Sequence, residues 1–101
     1  MADITPTELH QRQQAGETPN IIDVRESWEF DEARMPGAQN IPLGTLPEKL
    51  DDIDAWKNQE VIVHCKSGAR SASARAFLTQ QGFANVRSLV GGFQAYTAAN
   101  I

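Results

Sequence analysis

The stretch Val61-Ile62-Val63-His64-Cys65-Lys66-Ser67-Gly68-Ala69-Arg70 changes character at its midpoint. Its first half is rich in β-branched residues, which fit the pleated surface of a buried strand. Its second half is small, polar and cationic. From Ser71 to Gln81 a helical pattern takes over: Ala74, Phe77 and Leu78 form an i, i+3, i+4 stripe, and Gly82 ends it. The unit therefore reads strand, loop, helix, with the helix beginning near Ala69–Ser71. In open α/β sheets, ligands bind beyond the carboxyl ends of the strands. The following helix turns its unpaired N–H groups and the positive end of its dipole back on the loop. The only cysteine of the chain sits at that junction.

Outward from this unit, helix and strand signals alternate, which predicts an α/β layer architecture with a largely parallel sheet. Thr5-Pro6-Thr7-Glu8 is a capping box with proline at the first helical position, so a helix should run to about Gln14 and stop at Gly16. Ile21-Ile22-Asp23-Val24 predicts a short buried strand. Ser27 is placed to cap a brief helix through Trp28 and Phe30. Met35-Pro36-Gly37-Ala38 reads as a turn, and Asn40-Ile41 as a short extended piece before Pro42. Thr45-Leu46-Pro47-Glu48 repeats the capping-box pattern and predicts a helix to about Ile53. Asn85 to Leu89 is the last expected strand. Gly91-Gly92 breaks the chain, and Phe93 to Ala99 makes a final helix. No linker, repeat or low-complexity segment interrupts the 101 residues, so one domain over 1–101 is expected.

Composition excludes several classes. At 41% hydrophobic and 22% charged residues, the chain reads as an ordinary soluble protein. No apolar run approaches the ~20 residues of a membrane span, and the polar start shows no signal-peptide pattern. One cysteine cannot form an internal disulfide, so a cytoplasmic location is expected, and a compact chain of this kind is expected to be a monomer. The net charge of −4 hides an asymmetry. All thirteen acidic residues lie within 1–60, whereas 61–101 holds Lys66, Arg70, Arg75 and Arg87 and no acid. Three of those cations fall within ten residues of Cys65. A local positive field favours a small anion or a thiolate. Nucleic acid would call for a longer basic stripe with aromatics, and none is present. Chance clustering on a solvated helix face is the competing reading.

Cys65 is thus a candidate nucleophile. A free thiol ionises near ~8.5, and helix N-termini with nearby cations lower this to roughly 3.5–7.5. Backbone amides of a tight loop can form an anion-binding nest, and Gly68 permits the backbone angles this needs. The same nest would hold a thiolate, an approaching oxyanion or the outer sulfur of a persulfide. The alternative is an inert thiol buried in the core. His64 neighbours Cys65, but adjacent strand residues face opposite ways, so it reads as a packing residue. His10 reads as solvated. One cysteine and two scattered histidines predict neither a metal site nor a cofactor.

Four segments, in order, resemble the single-domain rhodanese family of sulfurtransferases, over nearly the whole chain. "IIDVRESWEF" is similar to its Asp-x-Arg strand and acidic helix, through Asp23, Arg25 and Glu29. "RMPGAQNIP" resembles its Pro-Gly-Ala-x-x-Ile-Pro turn, through Pro36, Gly37, Ala38, Ile41 and Pro42. "CKSGAR" resembles its active loop, Cys-x-x-Gly-x-Arg, and "GGFQAY" its terminal Gly-Gly-x-x-Ala-aromatic segment. Two positions depart. Arg34 and Met35 precede Pro36 where the family often has histidine, and Tyr96 stands where it often has tryptophan.

The resemblance implies a rhodanese-like α/β fold, with a mostly parallel five-stranded sheet flanked by helices on both faces. It implies a six-residue loop, Cys65 to Arg70, sized for sulfur, whereas phosphatases and arsenate reductases of the same fold use the longer Cys-x5-Arg. Cys65 would be the catalytic nucleophile. Lys66, Ser67, Gly68, Ala69 and Arg70 would bind the substrate, a small anionic sulfur donor such as thiosulfate. Arg70 has a second possible role, tying the loop to an acidic residue. With no second thiol to resolve a persulfide, sulfur must leave to an external acceptor: cyanide, a low-molecular-weight thiol or a protein. A persulfide carrier loaded by a protein partner is the alternative to a thiosulfate-using enzyme. Arg25 and Glu29 read as a structural ion pair, and Asp23 as a buried acceptor that orders neighbouring loops. Trp28, Phe30, Phe77, Phe93 and Tyr96 are expected in the core or at a pocket rim, with the core favoured.

Overall fold

The computed structural model describes residues 3–99. Five strands form one sheet: β1 (Asp3–Ile4), β2 (Asn20–Asp23), β3 (Ala38–Asn40), β4 (Glu60–His64) and β5 (Asn85–Leu89). Their order is β1-β5-β4-β2-β3, and every pairing is parallel. Parallel strands require crossovers. These are α1 (Pro6–Gln14), α2 (Ser27–Glu32), a 3-10 segment (Leu43–Trp56) and α3 (Ala69–Gln80), with α4 (Gly92–Ala98) after the last strand.

Strand side chains alternate between two cores. Ile22, Val24, Val61, Val63, Cys65 and Val86 pack under Ala74 and Leu78 of α3 and under Leu46 and Ile53 of the 3-10 segment. Ile4, Ile21, Ile62 and Leu89 face the other way, onto Leu9 of α1, Met35 and Tyr96 of α4. Both faces of the sheet are covered, so β2 and β4 lack the polar alternation of a half-exposed strand. The chain steps from β2 out to edge strand β3, then returns to β4 on the opposite side of β2. That reversal opens a crevice beyond the carboxyl ends of β2 and β4. Asp23 and His64, the last residues of these strands, are paired in register there. No helix of the described residues is long and apolar enough to cross a membrane.

The first helix forms where expected, with half of its capping box: Thr5 Oγ1 accepts from the Glu8 amide at 3.1 Å and Pro6 opens the helix, while the Glu8 carboxylate turns to Arg87. The strands at 20–23, 60–64 and 85–89 and the helices at 69–80 and 92–98 also form where expected, and the remaining elements differ. β1 is an added edge strand of two residues, too short to carry a sequence signal. Glu26, not Ser27, caps α2, with its amide donating to Glu29 Oε1 at 2.9 Å. The expected α-helix after Thr45 is a longer 3-10 run. Thr45 Oγ1 turns back to donate to the Pro42 carbonyl, and Pro47 lies inside the segment, where it cannot donate to an α-helical ladder. The turn expected to reach Ala38 ends sooner, because Ala38 already pairs with Ile21.

Candidate active site around Cys65

Cys65 directly follows β4, and Gly68, with φ of +121°, caps α3. This sharp turn folds the loop over the thiol. The Gly68 amide donates to Sγ at 3.0 Å, and the Ser71 amide lies 3.4 Å from it. Ser71 Oγ is 3.6 Å from Sγ, 3.1 Å from the Gly68 carbonyl and 2.8 Å from Ser88 Oγ on β5. A hydroxyl has one proton to give. When sulfur carries charge, that proton goes to Sγ, and Ser88 can donate to Ser71 behind it. Cys65 is 1% exposed, and burial alone would push its thiol up. The Ser71 amide and hydroxyl, then the Gly68 and Ser67 amides, outweigh burial and hold it below its ordinary value. The thiol is therefore buried, yet surrounded by donors rather than only by hydrocarbon.

The other loop residues form a rim. Lys66, Ser67 and Ala69 are exposed, and Gly68 and Arg70 half-buried. Arg70 reaches across to Glu29 on α2 in a two-pronged pair, at 2.7 and 3.2 Å. Arg70, with the amide of Glu26, pulls the Glu29 carboxyl down to about 2. Arg70 thus ties the loop to an acid. The expected Arg25–Glu29 pair does not form. Arg25 folds back on Asp23 instead, Nε and Nη2 meeting both carboxylate oxygens at 2.7–3.0 Å, because Asp23 sits two residues before it at the strand end. Arg25 Nη2 also donates to the Ala33 carbonyl, and its guanidinium lies 4.6 Å from the Phe93 ring centroid. Asp23 further accepts from the Arg25 amide, so it is the buried acceptor the sequence suggests. Arg75 pairs with Asp3, so much of the local positive charge is answered by acids from the first half of the chain.

Behind the loop lies α4. The amides of Phe93 and Gln94 donate to the carbonyls of Cys65 and Lys66 at 2.7 and 2.9 Å. This approach demands glycine at 92: a Cβ there would lie 2.6 Å from the Cys65 oxygen and from the Lys66 carbonyl carbon and oxygen, and φ is +65°. His64 is fully buried, its Nε2 3.7 Å from Asp23 and without a hydrogen bond; burial holds its imidazole below the ordinary value. Among the aromatics, Tyr96 is buried and donates to Gln13 Oε1 at 2.8 Å, and Phe77 and Phe93 pack against the two cores. Trp28 departs from the expected core placement. It is 63% exposed, on a helix, α2, that has no buried residue. No group of three or more His, Cys, Asp or Glu side chains able to hold a metal comes together among the described residues.

Sequence reasoning places the loop but misses Ser71, Ser88 and Gly92–Gln94 as its supports. The double glycine was the available signal for the last of these. For Ser71 the only cue was its position one turn beyond Gly68, and for Ser88 there was none.

A parallel five-stranded sheet, with one cysteine cupped by the amides of a loop closing the central strand, defines a class of α/β domains built to hold an anionic sulfur. The chain belongs to the Rhodanese-like domain family, whose profile matches residues 5–99. A protein named sulfurtransferase from Allochromatium vinosum is 34% identical over 93% of this chain and 86% of its own length. The putative sulfurtransferase YtwF of Bacillus subtilis is 36% identical over 93% and 88%. The putative sulfur carrier protein YrkF of the same organism is 34% identical over 94% of this chain, which spans half of that relative's length. Among solved structures, SSP1007 from Staphylococcus saprophyticus superposes with a TM-score of 0.86 at 33% identity, covering 95% of this chain and 93% of its own.

Proposed function

We propose that the protein is a sulfurtransferase that moves sulfane sulfur from a donor such as thiosulfate to a thiophilic acceptor through a persulfide on Cys65. The observation that carries the reading is the convergence of the Gly68 amide and the Ser71 amide and hydroxyl on one buried Sγ. In the first step the Cys65 thiolate attacks the outer sulfur of thiosulfate. A new S–S bond forms, the old one breaks, and its electron pair leaves with sulfite. The charge on the transferred sulfur is then met by the loop amides. In the second step an external nucleophile takes that sulfur, and the electron pair of the broken bond returns to Cys65 as thiolate. This is covalent, two-step catalysis. Lys66, Ser67, Gly68, Ala69 and Arg70 frame the donor's approach. Lys66 supplies an exposed cation, whereas Arg70, held by Glu29, chiefly fixes the loop.

Incubation with thiosulfate should add the mass of one sulfur atom to the intact protein, and cyanide should remove it as thiocyanate. A Cys65→Ser variant producing thiocyanate at the normal rate would overturn the assignment. A second reading, a persulfide carrier loaded by a protein donor, is favoured by the name of the YrkF relative. Slow loading from thiosulfate beside rapid loading from a cysteine desulfurase would select it.

A further inference from the structure

Beside the active loop, between α2 and α4, lies a hollow of about 310 Å³. Its walls include the exposed Trp28 indole and the Phe93 ring, and Lys66 stands at its edge. Arg25 lines it too, although its side chain is only 6% exposed. The guanidinium is held rigidly by Asp23 and Ala33 through Nε and Nη2. Its Nη1 makes no hydrogen bond to the described residues and is not among their enclosed unpaired atoms, so it opens on the hollow. A guanidinium edge fixed by its other nitrogens is a preorganised donor for a carboxylate. Lys66 adds an exposed cation at the loop end. Glu29, on the same lining, is already engaged by Arg70, whereas Glu32 is exposed at the C-terminal end of α2 and opposes an anion.

We propose that this hollow is the acceptor subsite, and that it selects a low-molecular-weight thiol bearing a carboxylate. Arg25 Nη1 and Lys66 take the carboxylate, while Trp28 and Phe93 pack its hydrocarbon part. The inference rests on the sulfurtransferase reading above. Lys66 and Glu29 belong both to the hollow and to the rim of the cysteine loop, so an acceptor anchored there lies alongside the loop. The step is balanced without any oxidant. The acceptor thiol passes its proton to the anionic outer sulfur, its thiolate bonds to the outer sulfur of Cys65–S–SH, the Sγ–S bond breaks, Cys65 recovers its thiolate, and the proton leaves on the acceptor's new persulfide.

The test loads Cys65 with inorganic polysulfide, which bypasses thiosulfate. It then follows single-turnover discharge by 3-mercaptopropionate and by its amide, which differ only in the carboxylate. The acid should discharge the protein with saturation, the amide without it. Lys66→Gln should raise the half-saturating concentration of the acid about two- to fivefold, the range of one exposed charge pair. Glu32→Gln should lower it by a similar factor and leave the amide rate unchanged. Trp28→Ala should weaken saturation by the acid without touching the buried Asp23–Arg25 pair. Equal, unsaturating discharge by acid and amide would overturn the subsite. So would Lys66 and Glu32 variants that shift half-saturation in the same direction. Failure to load from thiosulfate alone would count against the donor step and leave the discharge experiment intact. Failure to load from polysulfide as well would overturn the sulfurtransferase reading and the subsite together.

Discussion

Removing the Ser71 hydroxyl should raise the pKa of the Cys65 thiol. In Ser71→Ala the backbone amide of residue 71 stays, as does the Gly68 amide at 3.0 Å. Only the hydroxyl, 3.6 Å from Sγ, is lost. A hydrogen bond to a charged group contributes about 1.5–3 kcal/mol. At this length, and to sulfur, the low end applies, and ~1.36 kcal/mol corresponds to one pKa unit. The expected rise is therefore about one unit, with burial pushing in the same direction. The pH dependence of alkylation by iodoacetamide reads it directly, because only the thiolate reacts. The midpoint should move up by about one unit, and the rate just below it should fall by up to about tenfold. The plateau at high pH should hold or rise slightly, since a more basic thiolate is intrinsically more nucleophilic. Ser88→Ala reports on the hydroxyl behind. If Ser88 polarises Ser71 by the ~10–30% expected of neighbouring hydrogen bonds, its midpoint should rise by less than about 0.3 unit. An unmoved or lowered midpoint in Ser71→Ala, with native circular dichroism, would refute the view that this hydroxyl supports the thiolate.

Three further perturbations probe the scaffold. Glu29→Gln should cost about 1–2 kcal/mol near neutral pH, a discounted share of the carboxyl's shift because Arg70 is partly solvated. Since Glu29 is lowered from 4.5 to about 2 by folding, this contribution is complete above about pH 4.5 and disappears as pH falls towards 2, so urea midpoints of variant and parent should converge in acid. Gly92→Ala should destabilise by more than about 2 kcal/mol and slow persulfide formation, because strain at φ of +65° adds to a clash with two carbonyls; Gly37→Ala, with φ of +81° in open space, should cost only about 1 kcal/mol by thermal unfolding. Asp23→Asn leaves the Arg25 guanidinium buried beside a neutral amide and should cost about 3–5 kcal/mol, read by the same unfolding curves; a loss under 1 kcal/mol would show that the pair is not needed.

How much of this was legible in the sequence depends on how local each feature is. The β4–loop–α3 unit is contiguous, and its chemistry is written in adjacent residues from Val61 to Ser71. The first helix was legible for the same reason, since Thr5 caps Glu8 three residues away. Features set by distant segments were not. The partner of Arg70 is 41 residues earlier in the chain, and two arginines, Arg25 and Arg70, compete for two acids, Asp23 and Glu29. Helical spacing suggested one pairing, and the rigid strand end that presents Asp23 to Arg25 produced another. Ser88 meets Ser71 only because β5 lies beside β4 in the sheet. The 3-10 segment is not legible locally, because a capping-box pattern also fits a turn whose threonine bonds backwards, and two prolines tip the balance.

The terminal Gly-Gly-Phe segment acquires a chemical role from the planarity of the peptide group. In a trans peptide the C=O and the following N–H point in opposite directions. Phe93 and Gln94 hold the carbonyls of Cys65 and Lys66 towards α4. The amides of Lys66 and Ser67, on the far side of those same peptide planes, are thereby turned away from α4. The Ser67 amide is among the groups that lower the Cys65 thiol. The anion cradle is thus oriented from both ends. Gly68 and Ser71 close it from α3, and α4 fixes the two leading peptides from behind. Gly92 is the hinge of that second constraint, because any side chain would push α4 off the carbonyls it holds. It follows that a six-residue active loop grafted without α4 should keep its cysteine but lose much of the field around it, and its thiol should titrate closer to that of a free cysteine.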